Sequence, residues 1–227
     1  MADEKAHYYE PRLGHGLKHD PFNAIIGPRP IGWISTVDAN GVANLAPYSY
    51  FNAFNYFPPV IGFSTIGWKD SVANVAATKE FCWSLSTMGL AREMNLTCAP
   101  APPEIDEFDV AGLTKAPSRL IKPPRILESP VNMECRLSQL IRLQGADGTL
   151  FDTWLILGEV VAVHIDPALI QDGAYQAARA HPILRAGRLG DYVEVRPDAL
   201  FEMDRATWPP SKGEARRPKQ PSSPHLP

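Results

Sequence analysis

The chain has 227 residues, with 22 Lys and Arg against 25 Asp and Glu, so its formal net charge is −3. No basic stripe interleaved with aromatic residues appears before the C-terminal tail, which argues against a nucleic-acid partner. No apolar run approaches the roughly 18 residues of a membrane span, and the N-terminus carries no basic and apolar leader. We therefore expect no membrane insertion and a cytoplasmic location.

Several common reactive motifs are missing. Cys82, Cys98 and Cys135 are odd in number and form no Cys-x-x-Cys pair, which argues against a disulfide framework and a structural zinc site. Residues 14–19 fail the dinucleotide pattern G-x-G-x-x-G at its last position, and P-loop and nucleophile-elbow spacings are absent. His164 lies in an apolar run and is predicted to be a hydrogen-bonded structural histidine. We predict no metal site and no catalytic side chain.

Residues 29–71 predict the centre of a β structure. Two apolar runs, residues 31–37 and 42–45, flank Asn40-Gly41, a dipeptide that tolerates the positive φ angles of a type I′ hairpin turn. A third apolar run follows a proline-broken loop and reaches Phe63. The three runs predict a β-meander.

Pro47 interrupts the second of these runs. Because proline cannot donate to a ladder, it belongs on an edge strand or at a bulge. The backbone amides of Tyr48, Ser49 and Tyr50 are therefore predicted to lack ladder partners. Taken alone, Asn44-x-x-Pro47-x-Ser49 is better explained as a bulged strand end. Free amides beside aromatic side chains would also suit a flat ligand with acceptors along its rim.

A second candidate feature follows the third run. Residues 64–71 read Ser-Thr-Ile-Gly-Trp-Lys-Asp-Ser and precede a helical pattern. A helix N-terminus offers unpaired amides and the positive end of its dipole, which favours phosphate. Lys69 would add a charged contact, although a lone lysine is more typical of a solvated surface, and Asp70 is expected to cap the helix or hold a cation. The free amides and this corner together indicate a mononucleotide with a flat ring.

Further elements are predicted downstream. Residues 80–86 predict a strand, and residues 88–97 predict an amphipathic helix. Residues 131–143 alternate apolar and polar side chains, and residues 154–165 supply a long partner strand that is bulged near Gly158. We expect these two strands to form a second large hairpin.

The rest of the chain supports one folded domain. Residues 98–124 are rich in proline. Two interpretations have equal weight: a functional lid or partner surface, and a long solvent-exposed loop without a function of its own. A last strand is predicted over residues 192–195. We predict a domain over residues 1–203 and a disordered tail over residues 204–227, which are rich in Pro, Lys, Arg and Ser.

Seven short segments in the same order resemble the flavin reductase-like family of FMN-binding split barrels, which includes flavoredoxins and reductase components of two-component monooxygenases. The resemblance extends from about Tyr8 to Met203. The segments are Gly14-His15-Gly16-Leu17, His19-Asp20-Pro21-Phe22, residues 28–36, residues 44–49, Lys69-Asp70-Ser71, Gly158-Glu159-Val160-Val161 and residues 188–192.

The resemblance implies a mainly β protein, a Greek-key split β-barrel with a few peripheral helices, and a homodimer that binds FMN near the subunit interface. It implies that the ring and ribityl chain contact Asn44, Ala46, Pro47, Tyr48 and Ser49. It further implies that Ser64, Lys69 and Ser71 hold the phosphate and that Trp33 borders the ring.

One departure from the family pattern affects the phosphate. Trp68 stands where we expect an arginine before Lys-Asp-Ser. The lost cation implies a weaker phosphate contact, unless Arg29 or an arginine of another subunit compensates.

The implied function is transfer of a hydride from NADH or NADPH to FMN, with electrons passed on to a flavin, a monooxygenase partner or a metal complex. Since no dinucleotide fingerprint is present, the nicotinamide cofactor is expected to bind transiently over the exposed face of the flavin. The proline-rich segment near Ala99 to Phe108 is the candidate cover for it. The alternatives are an FMN-containing electron carrier that oxidises no NAD(P)H and a flavin-binding module without turnover.

Overall fold

The computed structural model describes residues 6–102, 104–188, 190–203 and 208. Apart from Trp208, the tail predicted over residues 204–227 lies outside them. The α-helices are α1 Phe22–Ile25, α2 Asp70–Thr78, α3 Ala91–Leu96 and α4 Glu107–Ala111, and the 3₁₀ turns are Pro11–Leu13, Met88–Leu90, Pro167–Leu169, Ala177–Ala180 and Pro197–Ala199. The strands are β1 Gly32–Val37, β2 Ala43–Tyr48, β3 Phe51–Asn55, β4 Val60–Ile66, β5 Glu80–Ser84, β6 Lys115–Ala116, β7 Arg125–Ile126, β8 Val131–Gln144, β9 Leu150–Ile165, β10 Ile170–Gln171, β11 Ala174–Tyr175, β12 Ile183–Arg185 and β13 Tyr192–Glu194.

Seven antiparallel strands form the main sheet in the order β2-β1-β5-β8-β9-β4-β3. The predicted meander is wrong, because β2 pairs with β1 while β3 forms a new hairpin with β4 at the opposite edge. The three peptide units from Tyr48 to Phe51 span at most about 11 Å. The sheet must therefore curl until its two edges approach each other, which makes it the predicted mainly β split barrel.

The first hairpin is confirmed, but its turn is not type I′. Gly41 has a φ of 89°, whereas φ is not positive at Asn40, and a type I′ turn requires both. The carboxylate of Asp38 instead orders the loop by accepting hydrogen bonds from the amides of Asn40 and Val42, each at 2.8 Å. These bonds, chiefly the one from Val42, lower the pKa of Asp38.

Side chains on the two faces of β1 enter two separate hydrophobic clusters. Ile34 packs in the first cluster, inside the curled sheet and under α2. Trp33 and Val37 point to the opposite face and pack with Leu45 and with Phe108 of α4. Every residue of β1 is buried, since period-2 alternation sends neighbouring side chains to opposite faces of the sheet and both faces are covered at this strand.

The second large hairpin, β8 and β9, is confirmed with its irregularity. The pairing slips on either side of Gly158, between Glu134 and Cys135 and again between Leu137 and Gln139. A Cβ at position 158 would overlap the fully buried ring of Phe81, so glycine is needed where the two strands cross the core.

His164 is a structural histidine, as predicted. Its Nε2 lies 2.6 Å from the carboxylate of fully buried Glu134, which also accepts hydrogen bonds from the amides of Arg119 and Leu120. Burial alone would raise the pKa of Glu134, but the two amides and His164 together lower it.

Other boundaries differ modestly from the sequence prediction. The helix predicted over residues 88–97 begins as a 3₁₀ turn and becomes α-helical only at Ala91. The last strand is confirmed but pairs with β12 in a separate ribbon. Among the described residues, no helix combines the length and apolar character that a membrane crossing requires.

Candidate functional site

The exposed edge of β2 is the foundation of the candidate site. The amide of Leu45 points away from β1 and donates to the Glu107 carboxylate at 2.9 Å. Since successive residues of a strand alternate direction, Pro47 has its missing donor on the same outer side. Proline is therefore tolerated here, as predicted, because β2 is an edge strand.

Two of the three amides predicted to be free are free. Within residues 6–102, 104–188 and 190–203, no hydrogen-bond acceptor meets the amide of Ser49 or Tyr50. The prediction is wrong for Tyr48, which stays in the ladder opposite Gly32. Alternation along β2 turns its amide toward β1, so the free amides begin one residue later than expected.

The start of α2 lies beside this edge. Lys69 is the N-cap residue, and its carbonyl accepts hydrogen bonds from Val72 and Ala73, whereas the amides of Asp70 and Ser71 meet no acceptor among the described residues. Asp70 occupies the first helical turn, and the N-cap has no side-chain hydrogen bond, so the predicted capping by Asp70 is wrong. Its carboxylate nevertheless lies at the positive end of the helix dipole.

Side chains of β2 and α2 are linked directly. Asn44 Nδ2 donates to Ser71 Oγ at 2.9 Å. Burial raises the pKa of Tyr48 to about 12, although the neighbouring Ser71 hydroxyl acts in the opposite direction. Tyr48 therefore remains a neutral phenol at physiological pH.

Two adjoining clefts follow the edge of β2 and share Pro47 and Cys98. Each has a volume that suits a small ligand, about 310 Å³ for the first and 320 Å³ for the second. The first is lined by Asn44, Ala46, Pro47, Tyr48, Lys69, Asp70, Ser71, Thr97, Cys98, Ala99, Pro100, Ala101 and Glu107. The second is lined by Ile31, Pro47, Ser49, Met94, Asn95, Cys98, Arg185 and Tyr192.

Most of the predicted site residues are thus brought together, but Trp33 is not. Its ring is fully buried, so the predicted contact with a ligand ring is wrong. Trp33 lies on the β1 face that packs against α4, and its Nε1 donates to Thr97 Oγ1 at 3.0 Å. Since Thr97 lines the first cleft, Trp33 supports the cleft from beneath.

Ser64 and Arg29 also lie outside the two clefts. Ser64 stands opposite Leu155 in the ladder of β4 and β9. The Arg29 guanidinium donates to the carbonyls of Ser49 and Asn23 at 2.9 and 2.6 Å, so it holds the loop after β2 in place. The compensation for Trp68 by Arg29 stays a prediction, and in this arrangement two nitrogens of the Arg29 guanidinium donate to backbone carbonyls.

Trp68 itself faces another part of the barrel. It is half exposed and packs edge-on against Trp154, with ring centroids 4.6 Å apart. Among the described residues that line the first cleft, Lys69 carries the positive charge, and Asp70 and Glu107 carry two carboxylates.

The far wall of the cleft comes from residues 97–101 and from Glu107. The sequence predicts a lid or partner surface in this proline-rich segment but assigns none of its residues to the flavin, and no local pattern indicates the contact of Glu107 with β2. Its side chain is buried, and this burial raises its pKa, while the hydrogen bond from the Leu45 amide acts in the opposite direction. Across the described residues, His, Cys, Asp and Glu form no group of three suited to a metal.

The fold and the clefts define a class of protein: a split barrel whose sheet edge offers unpaired amides beside a helix N-terminus. Such a site suits a flat, phosphorylated ligand. Comparisons with known proteins are consistent with this class. The family model "Flavin reductase like domain" matches residues 27–183.

Individual relatives cover most of the chain. An uncharacterized protein of Aquifex aeolicus is 36% identical over 180 residues, which span 76% of this chain and 86% of that protein. The crystal structure of nitrilotriacetate monooxygenase component B from Bacillus cereus superposes with a TM-score of 0.72 at 32% identity, over 81% of this chain and 90% of that one. The 2-nitrobenzoate 2-nitroreductase of Pseudomonas fluorescens gives a TM-score of 0.73 at 26% identity, over 85% and 92%.

The chain therefore belongs to the flavin reductase-like family, whose members are flavin-related oxidoreductases.

Proposed function

We propose that this protein binds FMN and transfers a hydride from NADH or NADPH to it, after which the electrons pass to an acceptor. One observation carries the proposal: the unbonded amides of Ser49 and Tyr50 and the start of α2 lie along the same edge of the sheet. Together they offer donors for the rim of a planar ring and for a phosphate.

The residues present fit FMN. The two clefts adjoin at Pro47, so a single ligand can extend from the helix start to Ser49. Lys69, Ser71 and the amides of the first helical turn would hold the phosphate, while Asn44 would keep the Ser71 hydroxyl oriented.

When bound, FMN would supply the atom that accepts the hydride. The protein has to fix the ring and to place donors where negative charge grows during the transfer. The amides of Ser49 and Tyr50 suit that task because backbone donors are held rigidly by the strand end. Orientation of two reactants can lower a barrier by about 7–11 kcal/mol, so no acid or base side chain is required.

The nicotinamide cofactor would approach the same edge from the side of residues 97–101. These residues line the first cleft opposite β2, and Cys98 also lines the second. This arrangement favours the lid interpretation of the proline-rich segment over the solvent-exposed loop. The relative that is named as a component of nitrilotriacetate monooxygenase supports a monooxygenase partner as the electron acceptor.

Two further expectations belong to this proposal. A homodimer would cover apolar side chains such as Tyr56 and Phe57, which are 95% and 88% exposed at the tip of the β3–β4 hairpin. The cytoplasmic location stays a prediction from the sequence.

Anaerobic mixing tests the proposal. Purified protein loaded with FMN is mixed with NADH and, separately, with NADPH while flavin absorbance is recorded. We expect at least one nucleotide to bleach the flavin band within seconds, and far faster than the same nucleotide reacts with free FMN.

The alternatives give different results in the same experiment. A flavin that stays oxidised with both nucleotides but is reduced by a protein donor would indicate an electron carrier. A flavin that binds and is reduced by neither would indicate a binding module. A protein that does not bind FMN would refute the proposed function altogether.

A further inference from the structure

The side chains that line the first cleft carry more negative than positive charge. Lys69 contributes one positive charge and is largely exposed, whereas Asp70 and Glu107 place two carboxylates on the same walls. A phosphate monoester carries nearly two negative charges at pH 7. The side chains alone therefore do not neutralise such a group.

The two carboxylates differ in what surrounds them. Asp70 lies in the first turn of α2, where the helix dipole and unpaired amides compensate its charge. Glu107 is 8% exposed and receives a hydrogen bond from the Leu45 amide, but the described ion pairs include none to Glu107. Since a buried charge is screened less than an exposed one, Glu107 affects a neighbouring anion more strongly.

We propose that Glu107 is a specificity-determining residue of the flavin cleft, whose carboxylate opposes the terminal phosphate of the ligand. This inference rests on the proposed function. The carboxylate that accepts the hydrogen bond from the Leu45 amide would also lower the contribution of the phosphate to binding.

Other charged or titratable groups near Glu107 come from the surrounding elements. Lys69 and Asp70 belong to α2, Tyr48 and Cys98 line the cleft, and Asp106 precedes Glu107 and is paired with Lys115, which also contacts Asp109. Burial raises the pKa of Glu107, and the charges of Asp106 and Asp70 act in the same direction. On acidification, Glu107 therefore becomes protonated and loses its opposing charge at a higher pH than an ordinary glutamate does.

The test compares FMN with riboflavin, which has the same ring and no phosphate. Equilibrium affinities are measured by flavin fluorescence for the wild type and for Glu107→Gln, whose side-chain carbonyl can still accept from Leu45. We expect the variant to bind FMN about tenfold more tightly, a change equivalent to one pKa unit of interaction, with riboflavin affinity unchanged. The difference between the two proteins should shrink as the pH falls from 8 to 5.

Glu104→Gln is the matched control, because Glu104 is exposed on the same segment and does not line the cleft. It should bind both flavins as the wild type does. Free FMN takes up a second phosphate proton near pH 6 in all of these titrations, so the comparison of wild type with Glu107→Gln at each pH, and not the pH dependence of either protein alone, reports on Glu107.

The possible failures are distinguishable. Equal FMN affinities of wild type and Glu107→Gln, or a gain shared by riboflavin, would overturn the role of Glu107 alone. Failure of both proteins to bind either flavin would overturn the proposed function and this inference with it.

Discussion

Removing the amino group of Lys69 tests how the phosphate is held. A hydrogen bond from a charged group contributes about 1.5–3 kcal/mol, and because Lys69 is exposed we take the lower end of that range. The loss in Lys69→Ala is then about tenfold in FMN affinity, since about 1.4 kcal/mol corresponds to a factor of ten. The dipole and free amides of α2, worth about 0.3–1 kcal/mol, would remain.

Fluorescence titration with FMN and riboflavin provides the measurement. Riboflavin affinity should be the same in Lys69→Ala and the wild type, because riboflavin has no phosphate. Lys122→Ala is the control for loss of a positive charge, as Lys122 is exposed and contributes only its backbone amide, to Glu80. Its affinity for FMN should match that of the wild type.

Ionic strength gives a second, independent readout of the same contact. At 1 M salt the screening length falls to about 3 Å, so the difference between Lys69→Ala and the wild type should shrink. An FMN affinity that is unchanged by the substitution, or a loss that riboflavin shares equally, would refute the assignment of Lys69 to the phosphate.

Two further predictions concern the barrel. Glu134→Gln should lower the free energy of unfolding by about 2–3 kcal/mol, or Tm by roughly 5–10 °C, because it disrupts the buried carboxylate network. The control Glu159→Gln, at an exposed position, should change stability by no more than about 0.5 kcal/mol. Equal melting temperatures of the two variants would contradict the role of this network. Because the pKa of Glu134 lies below its ordinary 4.5, its contribution is present above that pH and is lost on acidification through the folded-state pKa, so the wild type should lose more stability below pH 4.5 than the variant. Gly158→Ala should lower stability by about 1–3 kcal/mol by overpacking Phe81. In the same thermal melts Gly89→Ala should be neutral, because its Cβ would meet only Thr87 Oγ1, at an ordinary contact distance of 3.9 Å. A Gly158→Ala protein as stable as the wild type would show that the Phe81 ring can move aside.

Local patterns in the sequence were sufficient to predict most strands of the barrel. The runs that became β1, β2, β8 and β9 alternate or remain apolar over lengths typical of strands, and turn residues separate them. Pro47 restricted β2 to an edge strand or a bulge, because a missing donor is tolerated at both, and the structure shows the edge position. The hairpin turn was placed correctly and its type was not, since the side chain of Asp38 decided the loop conformation.

The errors at the site have a common physical origin. Trp33 and Tyr48 were assigned from their neighbourhood along the chain, but period-2 alternation sends the Trp33 ring to the second core and the Tyr48 amide into the ladder. Which face of a strand becomes core depends on what packs against it. For β1, that is α4 and the helix around Met94, both distant in sequence.

By itself, the sequence determined the strands, the edge position of Pro47 and the order of polar groups around the start of α2, because these depend on neighbouring residues. Only the tertiary structure decided that Glu107 meets the Leu45 amide and that Thr97 lies above Trp33. Curling of the sheet and packing of the proline-rich segment bring these groups together. Contacts between residues more than 60 positions apart leave no periodic signal in the chain.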